Sequence, residues 1–413
     1  MTDVWIFVSV VLLADYSALM VFYFAGWLRT RSYKTERFSP KTKVSVVIAA
    51  RNEEAHIENC VRSILDQDYP KELFEIIVVD DFSEDRTVEL LGAKELTSLR
   101  VPRFRIGGRS NPPVQSANQQ GIASAQLSTQ SLAVEPRNDG LIKILSSNFP
   151  GKKRAIETGI QNATGELIVT TDADCIMGEK WLSTAFSYYE KFHPKMIAAP
   201  VAFTHEKTWL EKWQSLDLCG MMAITAGATT NGFPNMCNGA NLAYEKKVFE
   251  EVGGFSGIDN QPSGDDVMLM QKIARKYPGG VHFLKSQDAI VLTKPEKTLS
   301  GLFQQRLRWL SKGTAFPDWR VSAVLIFSYA FNLSIIVNLV AGIFYRDLLA
   351  LAIVALALKT LVELPLLWSG CNFFQKKKLL LYILPAQVFH ILYVVIVGGA
   401  SRLMSVRWKG RKY

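Results

Sequence analysis

The chain has 413 residues, 48% of them hydrophobic, with a formal net charge of +9, so it holds one large soluble domain plus a membrane part. Its positive charge flanks apolar segments and forms no basic stripe interleaved with aromatics, which argues against nucleic acid and for membrane lipids as a partner. Five cysteines without close pairing or metal-ligand spacing argue against a disulfide scaffold or a zinc site, and fit a reducing compartment.

Residues 4–28 contain a single charge, Asp15, and are long enough as a helix to cross a bilayer. No basic stretch precedes them and no small-residue cleavage site follows, so residues 1–30 read as a transmembrane anchor and not a signal peptide. Arg29, Arg31, Lys34 and Arg37 come after this segment, whereas only Asp3 comes before it. By the positive-inside rule the next domain is cytoplasmic, in a multi-pass protein of the cytoplasmic (inner) membrane.

From residue 41 to about residue 295, β-branched runs alternate with helical stretches. Val44–Ala50 is a continuous apolar strand of the doubly buried kind. A helix is expected over residues 53–66, a strand over 74–79, a helix over 87–96 and another over 152–162. A strand over 166–171 and a helix over 181–191 follow. This order predicts an α/β fold with a mainly parallel sheet and a site at the carboxyl ends of its strands. Residues 107–139, rich in Gln, Ser, Asn and Ala, show neither period and read as a low-complexity surface insertion.

The candidate site residues sit at those strand ends. Asn52 and Glu53 can line a nucleotide slot or supply ordinary helix N-terminal groups. Asp80-Asp81, followed by Ser83 and Asp85, can accept from a pyrimidine imide, or form an Asx-turn with Asp85 capping the next helix. Lys152 can steer a diphosphate. Asp172-Ala-Asp174 puts two carboxylates on one turn after a strand, one for a divalent cation and the other for a ribose or a metal-bound water. Mg²⁺ or Mn²⁺ prefers such oxygen ligands and completes its shell with phosphate and water. Ser263-Gly-Asp-Asp266 opens a helical pattern, where an acid either caps the helix or takes a proton from an attacking hydroxyl. Asp266 is the candidate base and Asp265 its support.

Residues 296–317 read as an amphipathic helix at the membrane edge, carrying Gln305-Arg-Leu-Arg-Trp309. Arg308 and Trp309 are either headgroup-level anchors, or a phosphate grip and an apolar face for a sugar ring. Residues 318–413 form a C-terminal transmembrane region with apolar stretches at 321–345, 348–368 and 379–399. Lys376, Lys377 and Lys378 fit a cytoplasmic loop, and the tail is basic too. Three full crossings would put that tail outside, so one stretch is expected to be re-entrant or interfacial, with Pro365 and Pro385 as break points. Lys359 and Glu363, four apart, are expected to pair and to line a passage or meet a lipid head group.

With these residues in place, the chain resembles the family 2 membrane glycosyltransferases, which include cellulose, chitin, hyaluronan and poly-N-acetylglucosamine synthases. The likeness runs from Lys41 to Trp309, and Asp81, Asp174, Asp266 and the Gln305-to-Trp309 box match the family's acidic stations and Gln-x-x-Arg-Trp pattern. It implies a Rossmann-like GT-A domain, a UDP-sugar donor, a divalent metal and inversion at the anomeric carbon. Asp81 would then read the uracil, Asp172 and Asp174 would hold the ribose and the metal-bound diphosphate, and Asp266 would be the base. Arg308 and Trp309, in the box with Gln305, would hold the diphosphate and the acceptor sugar. Two departures stand out: Gly-Asp-Asp where many polymerising members have Thr-Glu-Asp, and the 107–139 insertion. The implied product is a polysaccharide made processively, such as an N-acetylglucosamine polymer, with room for accessory subunits. Single transfer to a lipid acceptor (ceramide, diacylglycerol or a polyprenyl carrier) is the alternative.

Overall fold

The computed structural model describes residues 2–36, 39–92, 141–257, 264–310, 316–401, 404, 407–408 and 411–412. The insertion expected at 107–139 lies outside the described residues. Helix α1 (Thr2–Arg29) occupies the expected anchor segment. It is followed by β1 (Val44–Ala50), α2 (Ile57–Leu65), β2 (Phe74–Asp80), α3 (Thr87–Gly92), β3 (Ile142–Ser146), α4 (Lys152–Gln161) and β4 (Leu167–Asp172). Next come β5 (Ile176–Met177), α5 (Trp181–Phe192), β6 (Met196–Ala198), β7 (Val201–Phe203), α6 (Trp209–Thr230) and β8 (Leu242–Glu245). The α/β part ends with α7 (Lys246–Glu251), α8 (Asp265–Lys276), β9 (Val281–Phe283), β10 (Val291–Thr293) and α9 (Leu299–Leu310).

Seven strands form one sheet in the order β3-β2-β1-β4-β8-β6-β9, and β5-β10-β7 form a smaller one. β1 pairs in parallel with β2 and with β4, and it is buried along nearly its whole length, with Ser45 its one polar residue. Only β8 runs antiparallel to its neighbours in the large sheet. The helix expected over residues 53–66 starts only at Ile57. Glu53 O accepts from both His56 N and Ile57 N at 2.9 Å, and Asn52 is left-handed at φ 51°, so residues 52–56 make a turn instead.

The end of the sheet away from the strand carboxyl termini is fastened by one buried carboxylate. Glu75 on β2 accepts from Ser45 Oγ (2.6 Å), Thr164 N (2.6 Å) and Thr164 Oγ1 (2.7 Å), and pairs with Lys143 at 2.6 Å. These bonds join β1, β2, β3 and the turn into β4. Burial alone would raise the Glu75 pKa, but Lys143, Ser45 and Thr164 outweigh it and hold the group below its ordinary value.

Four helical segments are long and apolar enough to cross a membrane: α1, α10 (Trp319–Ala341), α11 (Arg346–Phe373) and a stretch containing α12 (Ile383–Ala400). α1 crosses α6 at Gly26 and Gly227, and a Cβ on either glycine would collide with the other helix's backbone. Thr30 bonds Thr230 beside them, and Asn231 Nδ2 donates to Phe22 O. The break expected at Pro365 is not found: α11 runs through it, and Pro385 sits in the first turn of α12, where no donor is lost.

Lys359 Nζ bonds Glu363 Oε1 and Gln387 Oε1, both at 2.6 Å, and Tyr16 of α1 donates to Glu363. The expected pair is thus part of a network across α1, α11 and α12. Asp15 is exposed. The turn before α12 packs on the α/β part through Lys376, whose Nζ donates to Phe203 O at 2.6 Å. α12 itself meets both that part and the membrane helices α10 and α11. Trp213 Nε1 donates to Ala386 O at 3.3 Å, Phe389 meets the rings of Trp209 and Trp213, and Val397 and Ala400 pack on Leu307 and Leu310 of α9. The contact runs from Ala386 to Ala400, about 21 Å at 1.5 Å per residue.

Two measurements test this account. Glu75→Gln is expected to cost about 2 kcal/mol in denaturant unfolding of the solubilised chain, because Lys143 loses its counter-ion. Because the folded Glu75 pKa is depressed, its contribution is fully present above the ordinary glutamate pKa and is lost as pH falls through the lower folded one. The stability gap between wild type and variant should therefore close on acidification. Gly227→Leu is expected to lower the melting temperature by separating α1 from α6, whereas Gly178→Ala, with open space at its Cβ, should not.

Candidate active site

The carboxyl ends of β1 and β2 are locked to one another. Arg51 is buried and donates to Asp81 O (2.9 Å) and Phe82 O (2.5 Å), and pairs with Glu84 at 3.0 Å. Asn52 N donates to Ser83 Oγ, and Asn52 Oδ1 accepts from Glu84 N at 2.8 Å. Glu53 N donates to Thr87 Oγ1 at 2.7 Å. Asp80 accepts from Ser83 N, three residues on, and Asp85 accepts from Thr87 N, two residues on, forming an Asx-turn at the start of α3. The Asp81 side chain is buried and accepts from Gly151 N at 2.7 Å, just ahead of α4. Asp81 thereby holds the start of the helix that carries Lys152.

From α4, Lys152 reaches the end of β4, where its Nζ lies 2.5 Å from Asp172 Oδ1. Burial alone would lower the pKa of this ammonium. The charges of Asp172 and Asp265, the hydrogen bond to Asp172 and the charge of Asp266 reverse that and hold it above the ordinary lysine value. Asp174 accepts from Thr293 Oγ1 of β10 at 3.1 Å. Behind the turn lies Cys60, its thiol pushed up by burial and then by Asp174 and Asp172, so it stays neutral.

At the start of α8, Gly264 takes φ 91°, a left-handed conformation suited to glycine, and turns Asp265 and Asp266 into the first helical turn. Asp266 Oδ2 accepts from Gly239 N at 3.0 Å, and its Oδ1 accepts from Val267 N at 2.8 Å. Thr170 of β4 bonds Gly239 O at 3.1 Å, so Asp266 is tied back to the strand that ends in Asp172. The Asn238-to-Asn241 segment acts here as a backbone bracket for the carboxylate.

Gln305, Arg308 and Trp309 lie on α9 and are partly exposed. Gln305 Nε2 donates to Glu296 Oε1 at 3.4 Å, while its Oε1 is buried without a hydrogen-bond partner among the described residues. Glu296 lies three residues beyond Thr293, so the segment that meets Asp174 also meets the box. Arg306, passed over in the sequence reading, is buried, pairs with Asp217 of α6 at 2.8 Å and lies 4.3 Å from the Trp309 ring centroid. Its i, i+3 spacing from Trp309 was the available signal; Asp217 had none.

Among the described residues, no three His, Cys, Asp or Glu side chains converge as a metal site. Asp172 and Asp174 nevertheless suit a cation shared with a diphosphate, since Mg²⁺ commonly takes one or two carboxylates and fills its shell with phosphate and water. The ammonium already held against Asp172 shows that this turn attracts a positive charge.

Residues 148–413, well over half of the chain, match the model of glycosyl transferase family 21, and residues 45–113 match that of glycosyl transferase family 2. The chain belongs to family 21. This family 21 glycosyltransferase also bears out the resemblance to family 2 drawn from its motifs. It is 25% identical over 226 residues to glycosyltransferase AglE of Haloferax volcanii, covering 54% of this chain and 59% of AglE. It is 22% identical over 275 residues to the poly-beta-1,6-N-acetyl-D-glucosamine synthase of Staphylococcus aureus (strain COL), covering 65% and 54%. The match thus spans little more than half the length of these relatives. The mannosyltransferase PcManGT of Pyrobaculum calidifontis, solved with GDP-Man and Mn²⁺, superposes with a TM-score of 0.55 at 18% identity, over 96% of this chain and 99% of that one. The fold is the GT-A glycosyltransferase fold.

The Lys152–Asp172 pair is open to direct measurement. Asp172→Asn should lower the Lys152 pKa and speed its acylation by an amine-reactive ester at pH 8.5, read by peptide mass spectrometry. Unchanged labelling would show that Asp172 does not hold the ammonium.

Proposed function

We propose that this glycosyltransferase is an inverting enzyme moving one sugar from a nucleotide-diphosphate sugar to a lipid-borne acceptor at the membrane surface. The reading is carried by the Lys152–Asp172 pair at the carboxyl end of β4 and by Asp266 at the start of α8, tied back to β4 through Gly239 and Thr170. Together they join a positive group for a diphosphate to a carboxylate for a proton.

In this mechanism the donor base lies beside Asn52, Glu53, Asp80 and Asp81, with uracil as the base expected. The diphosphate lies between Lys152 and the Asp172-to-Asp174 turn, and Lys152 exchanges its hold on Asp172 for a phosphate oxygen. A divalent cation held by Asp174 and Asp172 would neutralise the charge that grows on the departing diphosphate. Asp266, oriented by Gly239 N, takes the proton of the acceptor hydroxyl as its oxygen attacks the anomeric carbon. The bond to the diphosphate breaks on the opposite face, which inverts the centre. Gln305, with its unpaired buried oxygen, and Arg308 and Trp309 hold the acceptor side.

Of the two acceptor classes left open by the sequence, the lipid-borne one is favoured by the polar groups of the membrane helices. Lys359, Glu363, Gln387 and Tyr16 bond one another and so do not present themselves to a passing polymer. The bonds of Gln387 to Lys359 and Glu363 of α11, with the return of Val397 and Ala400 to Leu307 and Leu310 of α9, favour a topology in which α1, α10 and α11 cross the bilayer and α12 is re-entrant. The α/β part and the basic tail then share the cytoplasmic side of the inner membrane, as the positive-inside rule asks.

The test supplies membranes containing the chain with radiolabelled UDP- and GDP-sugars and Mg²⁺ or Mn²⁺. Label is expected to partition into organic solvent, and Asp266→Asn to lower kcat at least a hundredfold. A high-molecular-weight product would replace the lipid reading with a polysaccharide synthase. Lys152→Gln is expected to raise the donor KM about tenfold, corresponding to about 1.4 kcal/mol.

A further inference from the structure

One buried ion pair reaches into the Gln305-to-Trp309 box at a position that the Gln-x-x-Arg-Trp pattern leaves unspecified. Arg306 and Asp217 meet at 2.8 Å with 3% and 13% of their side chains exposed, and a pair so enclosed needs a close partner on each side. Asp217 comes from α6 and Arg306 from α9, which are far apart in sequence. The guanidinium has a second contact: its carbon lies 4.3 Å from the Trp309 ring centroid, one helical turn along α9. A third neighbour, Tyr393 of α12, has its ring centroid 5.6 Å away. The side chain is thus fixed by α6 at its tip, covers the Trp309 indole and lies beside α12. Arg306 Nη1 also approaches Met221 Sδ at 3.5 Å, so α6 holds the guanidinium at two points.

We propose that Asp217 and Arg306 are positioning residues for the acceptor: the guanidinium, anchored by Asp217, backs one face of the Trp309 indole so that the other face meets the acceptor's sugar or headgroup. This deepens the reading above and rests on its assignment of Trp309 to the acceptor. Arginine suits the task because its planar group grips a carboxylate and lies against a ring at once, whereas lysine offers only a point charge. A free indole on an exposed helix face would sample several rotamers, and fixing it beforehand lowers the entropy lost when the acceptor binds. The signature is specific: weaker acceptor binding with donor binding intact.

The experiment uses the full chain reconstituted in vesicles of lipid extract from its own membranes, with extract and donor varied separately. Asp217→Asn and Arg306→Lys are expected to raise the apparent KM for extract about tenfold, with donor KM and kcat within twofold of wild type. Asp217→Glu should recover most of the loss, and Asp217→Asn should add nothing in a Trp309→Ala background. Loss of kcat and of thermal stability with the acceptor KM unchanged would reduce the pair to a structural one and overturn the proposal. So would additive effects in the double variant. A Trp309→Ala chain with unchanged acceptor KM would sink the assignment of Trp309 and this proposal together, whereas a raised KM there with a normal Asp217→Asn would sink this proposal alone. Fluorine NMR of 5-fluorotryptophan chains, with Trp309 assigned through Trp309→Phe, gives a readout independent of turnover. Asp217→Asn should broaden or shift that resonance, and an unchanged line would overturn the coupling.

Discussion

The site depends on β1 being paired in parallel on both of its sides. Register alone sets Ala50 against Asp80 and Ala49 against Asp172, so carboxylates far apart in sequence end one strand away from β1 on either side. Parallel strands all point their carboxyl ends the same way, and connecting helices start there too. Such an edge collects acidic side chains and helix N-termini, whose partial positive charge tempers the crowding. Glu75 fastens the opposite edge, where nothing reacts, so the two ends divide holding from chemistry.

The crowded edge is balanced by a small number of groups. Lys152 is the cation that answers Asp172, Asp265 and Asp266, and Asp81 sets the start of the helix that delivers it. Backbone amides do the rest: Gly151 N for Asp81, Gly239 N for Asp266 and Ser83 N for Asp80. Because amides are fixed by the fold, they hold the aim of these carboxylates independently of side-chain motion. A site built this way tolerates a positive ligand entering and leaving, since the scaffold that orients the acids does not itself depend on that ligand.

Much of this arrangement was legible in the residues alone. The run Val44–Ala50, the strand before Asp172 and the helix after Gly151 all declared themselves by period and composition, and they carry the half of the site proposed for the nucleotide. Turn chemistry misled at residues 53–56, where a left-handed Asn52 and a Glu53 turn displaced the start of a helix. The membrane-side half was harder to read. α6 spends its length against other helices, and a helix buried nearly all round has no polar face to mark its period. Asp217 looks like any acid until α9 folds over it. The posture of α12 was equally hidden, because composition reports how apolar a segment is and not what lies beside it.

The close crossing of Gly26 and Gly227 has a consequence for how the protein is made. Two glycines in van der Waals register leave room for no other residue, so α1 has one seat, and that seat lies about 200 residues further along the chain. At a synthesis rate of about 5–20 residues per second, α1 waits about 10–40 s in the bilayer before α6 exists. During that interval its small-residue face has only lipid or other membrane helices to meet, and such faces are sticky towards their own kind. α1 is therefore made well before the helix it seats against.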